Sequence, residues 1–143
     1  MTTSMAQISP VTLSLESAHR LAVAATKEAE EIGIPYTVTI VNGGGNVVHV
    51  SRMDGAALAS IDTSLAKART SVYFGAATAD LAGAVQPGAP LYTIPTSTVL
   101  PLAFVAGAVP VADSAGVVIG AVGAGGGSPQ QDHEVAISAA SGL

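Results

Sequence analysis

The stretch PYTVTIVNGGGNVVHVSRM, residues 35–53, decides how this chain folds. Apolar and polar residues alternate on both sides of an Asn-Gly-Gly-Gly-Asn tract, the period of two that marks a half-buried strand. Glycine takes positive φ at little steric cost, so the tract predicts a tight reversal and the whole stretch a β-hairpin. These glycines join strand to strand, whereas a dinucleotide fingerprint joins strand to helix, so they imply no nucleotide fold. Beyond the second strand, Arg52-Met53-Asp54-Gly55 has to change direction quickly, and Gly55 gives the backbone that freedom.

Working outward, residues 14–32 predict a helix. Ser14 stands at the N-cap, Glu16 in the first turn and Gly33 at the stop. Its buried face is Ala18, Leu21, Ala22, Ala25, Ala29 and Ile32, mostly alanine, so whatever packs there comes close. Residues 57–74 predict a second helix with Leu58, Ile61, Leu65, Ala68 and Val72 on its apolar face. Ser60, Ser64, Lys67 and Ser71 form a polar stripe beside that face. A short helical piece over 78–85 precedes a proline-rich loop, 86–101, in which Tyr92 and Ile94 are expected to wall a pocket. AVPVAD, SAG and VVIGAVGA then read as a second hairpin. Ser128, Pro129 and Gln131 open a last helix with a capping box. Helix, hairpin, helices, hairpin, helix is the order of an α+β fold, an antiparallel sheet with helices packed on it.

Composition narrows the function. The chain of 143 residues has the length of a single domain, here residues 12–143 after a tail of 1–11. With no cysteine, disulfides, thiolate metal sites and cysteine nucleophiles are excluded. Ten acidic and five basic residues give a net charge of −5, which argues against a nucleic-acid surface or a polybasic membrane patch. Only 10% of residues are charged while 49% are apolar, so part of the apolar surface is expected to be buried between subunits of a homo-oligomer. The N-terminal residues lack the basic and apolar regions of a signal peptide. The longest apolar run, residues 99–112, is too short for a bilayer and holds two prolines. A cytoplasmic protein without a membrane contact is expected.

Several residues have the chemistry for a site. Gly125, Gly126 and Gly127 lead from a strand into a helix N-terminus, where free N–H groups and the helix dipole suit a carboxylate or phosphate. Lys67, among short hydroxyls, has the charge and room to hold the same anion, and Arg52 and Asp54 stand where the first hairpin meets the second helix. Lys67, His49 and Asp132 are candidate acids and bases. The three histidines, His19, His49 and His133, show no zinc spacing, and no Ser-His-Asp arrangement stands out.

RMDGAALASIDTSLAKA, VQPGAPLY, VPVADSAGVVIGAVGAGGG and QQDHEVA occur in an order that resembles the GlcG/HbpS-like family, from about Thr12 to Ala140. That family includes GlcG proteins, haem-binding HbpS proteins and the C-terminal domain of PduO-type adenosyltransferases. The resemblance implies a profilin/PAS-like antiparallel sheet of about five strands with packed helices, assembling as dimers to octamers. It also implies haem as a candidate ligand, with His19 or His49 as axial ligand and Arg52, Lys67 or Arg20 for the propionates. Asn42, Ala108 and Gly125 depart from the family pattern, which implies an altered ligand or activity.

Three functions are consistent with these residues. The first is binding of a small molecule, haem or another planar ligand. In it Arg52 and Lys67 hold the anionic part, and Asp54, Tyr92 and the amides of Gly125–Gly127 complete the site. The second is a cofactor-independent enzyme doing acid–base chemistry on a small carbonyl or polycyclic substrate. The third is a structural or regulatory oligomer.

Overall fold

The computed structural model describes residues 13–143, so the tail expected at 1–11 lies outside the described residues. Helix α1 (Leu15–Ile32) leads to the hairpin β1 (Thr37–Asn42) and β2 (Val47–Arg52), followed by α2 (Ser60–Phe74) and a short α3 (Thr78–Leu81). A second hairpin, β3 (Ala108–Ala112) and β4 (Val118–Gly125), precedes α4 (Pro129–Ala140). The four strands form one antiparallel sheet in the order β2-β1-β4-β3, which makes the fold α+β. The resemblance implies about five strands; residues 86–101 supply turns and a 3-10 segment, Ile94–Ser97, but no further strand.

The first helix forms as its pattern requires. Ser14 Oγ accepts from the Ser17 amide at 3.1 Å, and Gly33, at φ 84°, closes the other end by donating to the Ala29 carbonyl. Both hairpin tips use one device. Asn42 Oδ1 accepts from the Gly44 and Asn46 amides at 3.0 and 3.1 Å, and Asp113 Oδ1 accepts from Ala115 and Val117 at 2.9 and 3.0 Å. An amide oxygen serves here as well as a carboxylate oxygen. Asn42 therefore shapes a turn. Ala108 is fully buried in β3, with its N–H and C=O both bonded to the Thr78 hydroxyl.

The sheet has two unlike faces. Val38 and Ile40 of β1, Val122 and Ala124 of β4 and Val111 of β3 meet the alanine face of α1 together with Val135 and Ala139 of α4. The opposite face presents Thr37, Thr39 and Val41 from β1 and Ala121, Gly123 and Gly125 from β4, and α2 lies on it.

Here the expected orientation of the second helix is wrong. Its polar stripe is the buried side: Ser60, Ser64, Lys67 and Ser71 are 0–5% exposed. Leu58 is 80% and Ile61 40% exposed, and only Ala68 of the expected apolar face is fully buried. The reason lies across the interface. The Thr37 hydroxyl pairs with Ser60 and the Thr39 hydroxyl with Ser64, both at 2.8 Å, and a buried hydroxyl requires such a partner. Opposite Ser64 stands Gly123, where a Cβ would overlap the Ser64 carbonyl oxygen and come within 2.8 Å of the Ala68 nitrogen. The helix backbone rests almost on the strand, and large apolar side chains have no room between them.

Candidate functional site

Turning its polar stripe inward carries Lys67 to the end of the sheet, where β4 gives way to the Gly125–Gly127 loop. Its ammonium meets Asp132, in the first turn of α4, at 2.7 Å from Oδ2 and also donates to the Ala124 carbonyl at 3.3 Å. The two side chains are 7% and 4% exposed. Asp132 Oδ1 accepts from the Gly127 amide at 2.8 Å, and the positive end of the α4 dipole favours its charge. The glycine loop and the lysine do bind an anion, and that anion is the chain's own carboxylate. The cradle expected for an external anion is therefore already filled.

The pair is enclosed by residues without side-chain bulk. At Gly107, φ 138°, a Cβ would sit 2.7 Å from Lys67 Nζ. At Gly127 it would sit 2.5 Å from the Tyr36 hydroxyl. Tyr36 is fully buried and its hydroxyl has no hydrogen-bond partner among the described residues. Burial, and next the neighbouring Asp132 carboxylate with which it makes no aligned bond, pushes the phenol well above its usual range, so it stays protonated. Beside the pair opens a cavity of about 320 Å³ whose lining includes Ser60, Thr63, Lys67, Val105, Gly127 and Asp132.

Of the expected site residues, Lys67, Asp132, Gly126 and Gly127 come together at this cavity. Gly125 packs under α2, where a Cβ would come within 2.8 Å of Thr63 Oγ1. Arg52 and Asp54 are exposed, and the Arg52 guanidinium closes its own turn by donating to the Ala56 carbonyl at 3.4 Å. Tyr92 is 54% exposed in the proline-rich loop, so it walls no part of this cavity. His49 is on the other face of the sheet: its strand partner is Ile40, which faces α1. The expected trio of Lys67, His49 and Asp132 is thus divided. The sequence reasoning missed Tyr36 and Gly107, which carry no motif.

His49 has a different neighbour. Its ring stands edge-on to His19 of α1, with centroids 5.6 Å apart. His49 Nε2 is hydrogen-bonded to Ser51 Oγ at 2.8 Å, whereas His19 is exposed and makes no hydrogen bond among the described residues. Leu15, Glu16, His19 and His49 line a cleft of about 420 Å³. A second cleft, about 230 Å³, has His19, Val23, Lys27 and Ser51 among its lining residues. Arg20 is held by Glu16 at 3.1 Å. Among the described residues no group of three or more His, Asp or Glu is placed to hold a metal ion, and no helix is long and apolar enough to cross a membrane.

A four-stranded antiparallel sheet with helices on both faces defines the class of fold, and residues 13–141 match the family described as haem degrading protein HbpS-like. The chain belongs to this HbpS-like family. It is 38% identical over 128 residues to an uncharacterised 15.0 kDa protein from the dhaT-dhaS intergenic region of Citrobacter freundii, covering 90% of this chain and 89% of that one. It is 34% identical over 133 residues to the corrinoid adenosyltransferase PduO of Salmonella typhimurium, covering 93% of this chain but 39% of that protein. Among solved structures it resembles a PduOC:haem complex, with a TM-score of 0.87 and 33% identity over 93% of this chain and 96% of that one.

Proposed function

We propose that this chain binds haem, or another planar tetrapyrrole, where His19 and His49 meet. The observation that carries the reading is the pairing of an unengaged imidazole with an open apolar cleft. His19 has both nitrogens free of hydrogen bonds among the described residues, and Leu15 and Val23 beside it are 63% and 58% exposed. A haem site offers the iron an axial ligand, the macrocycle an apolar surface and a propionate a cation, and His19, Leu15 and Lys27 provide one of each. These residues fit the group. Haem itself supplies an iron centre whose reactivity the surrounding protein tunes. His49, fixed by Ser51, limits how the His19 ring can turn. The haem complex of the structurally similar PduOC supports haem as the ligand.

Titration with haemin is expected to give a saturable shift of the Soret band. His19→Ala should abolish that shift, and His49→Ala should weaken affinity by roughly tenfold, the usual effect of removing a group that orients a ligand. A spectrum that stays that of free haemin throughout the titration sinks the proposal.

Self-association belongs to the same reading. Leu58 at 80%, Ile61 at 40%, Val99 at 100% and Leu100 at 46% exposure leave apolar side chains in water at the start and outer side of α2 and at the end of the proline-rich loop. Light scattering should therefore give a particle at least twice the 14.0 kDa of one chain. A monomer at micromolar concentration would rule this out.

A further inference from the structure

We propose that the Lys67–Asp132 cavity is a second ligand site, separate from the histidine ledge, and that it takes a small neutral carbonyl compound whose oxygen accepts a hydrogen bond from Lys67. A lysine ammonium has three N–H donors. Asp132 Oδ2 takes one at 2.7 Å and the Ala124 carbonyl a second at 3.3 Å. The third has no acceptor among the described residues, and Lys67, 7% exposed at its side chain, is part of the cavity lining. The ion pair borders about 320 Å³ of space, at the lower end of the range for ligand cavities.

The charge of the site selects the ligand. Lys67 and Asp132 neutralise one another, so a carboxylate entering the cavity would lose its hydration and meet no net counter-charge, and a cation would fare no better. A neutral dipole with one strong acceptor satisfies the third donor without adding charge. The remaining walls include Ala57, Ala59, Ala103, Val105 and Pro129, which suit an apolar body attached to that acceptor. Gly126 and Gly127 contribute backbone to the same lining.

The chain has two lysines, Lys27 and Lys67, so protein labelled with ¹³C at lysine Cε gives two resolvable signals. Acetophenone and its carbonyl-free isostere α-methylstyrene are titrated against it. Acetophenone is expected to move the Lys67 signal saturably and leave Lys27 in place, and to bind at least roughly tenfold more tightly than α-methylstyrene, as one charge-assisted hydrogen bond dictates. The double variant Lys67→Met/Asp132→Asn should lose that preference. A Lys67 signal that stays still up to the solubility limit overturns the proposal. So does equal binding of the two probes, or acetophenone affinity unchanged in the double variant. The comparison of two probes on the unaltered chain decides the matter even if the variant fails to fold, and none of these readouts depends on haem.

Discussion

Gly123→Ala is expected to unfold this protein or to lower its stability by about 3 kcal/mol or more, at the upper end of overpacking effects. The single added methyl would overlap the Ser64 carbonyl oxygen and lie within 2.9 Å of the Ala68 Cβ. Rotamer changes cannot relieve a collision with helix backbone, so α2 has to lift from the sheet. Lifting it separates Thr37 from Ser60 and Thr39 from Ser64 and takes the serine partner from both threonine hydroxyls, while the serines keep their bonds to the Ala57 and Ile61 carbonyls. Gly83 provides the control: nothing lies within 4 Å of a Cβ there and its φ is not in the left-handed region. Gly83→Ala should be neutral or slightly stabilising. Urea denaturation of the two variants measures both. Equal midpoints for Gly123→Ala and the parent protein would show that α2 does not rest on β4 as described.

Lys67→Met should cost about 3–5 kcal/mol, because it strands a buried aspartate without its cation. Lys67→Met/Asp132→Asn should recover most of that loss. The asparagine oxygen still accepts from the Gly127 amide, which Asp132 Oδ1 holds at 2.8 Å, and no charge remains to desolvate. The difference between single and double variants is the coupling of the pair, and the cycle isolates it. A loss below about 1 kcal/mol in the single variant would place the pair in solvent, where ion pairs contribute that little.

The two outcomes share a cause that also explains what the sequence made legible. The alanine face of α1 and both hairpins are local patterns: caps, turn residues and a period of two or 3.6 residues suffice to read them. The orientation of α2 is not local. Leu58, Ile61 and Leu65 form a respectable apolar stripe, and periodicity alone turns that stripe inward. What reverses it is a face assembled from two distant strands, threonines at every second residue of β1 and glycines at every second residue at the end of β4. That alternation was present in the sequence as a signal for short, hydroxyl-bearing partners, and no rule of apolar periodicity detects it. The site followed the helix. Lys67 and Asp132 were recognised as chemically able, but their partnership depends on which side of α2 faces the sheet. The separation of His49 from them depends in turn on strand register.

The hydroxyl rungs between β1 and α2 also set a scale. Four residues of helix advance about 6 Å, and two residues of strand about 6.6 Å. Thr37 and Thr39 therefore meet Ser60 and Ser64 nearly in step, with α2 running parallel to β1. The steps differ by about 0.6 Å, so the two rulers drift apart like the scales of a vernier and coincide over only a few marks. After two hydroxyl marks the next positions, Val41 and Ala68, meet by apolar contact, which tolerates an offset that a hydrogen bond does not. A helix slipped by one turn would leave one threonine facing a residue that cannot answer it. The rungs thus fix where along the strand α2 stops, and with it how far Lys67 reaches toward the end of the sheet.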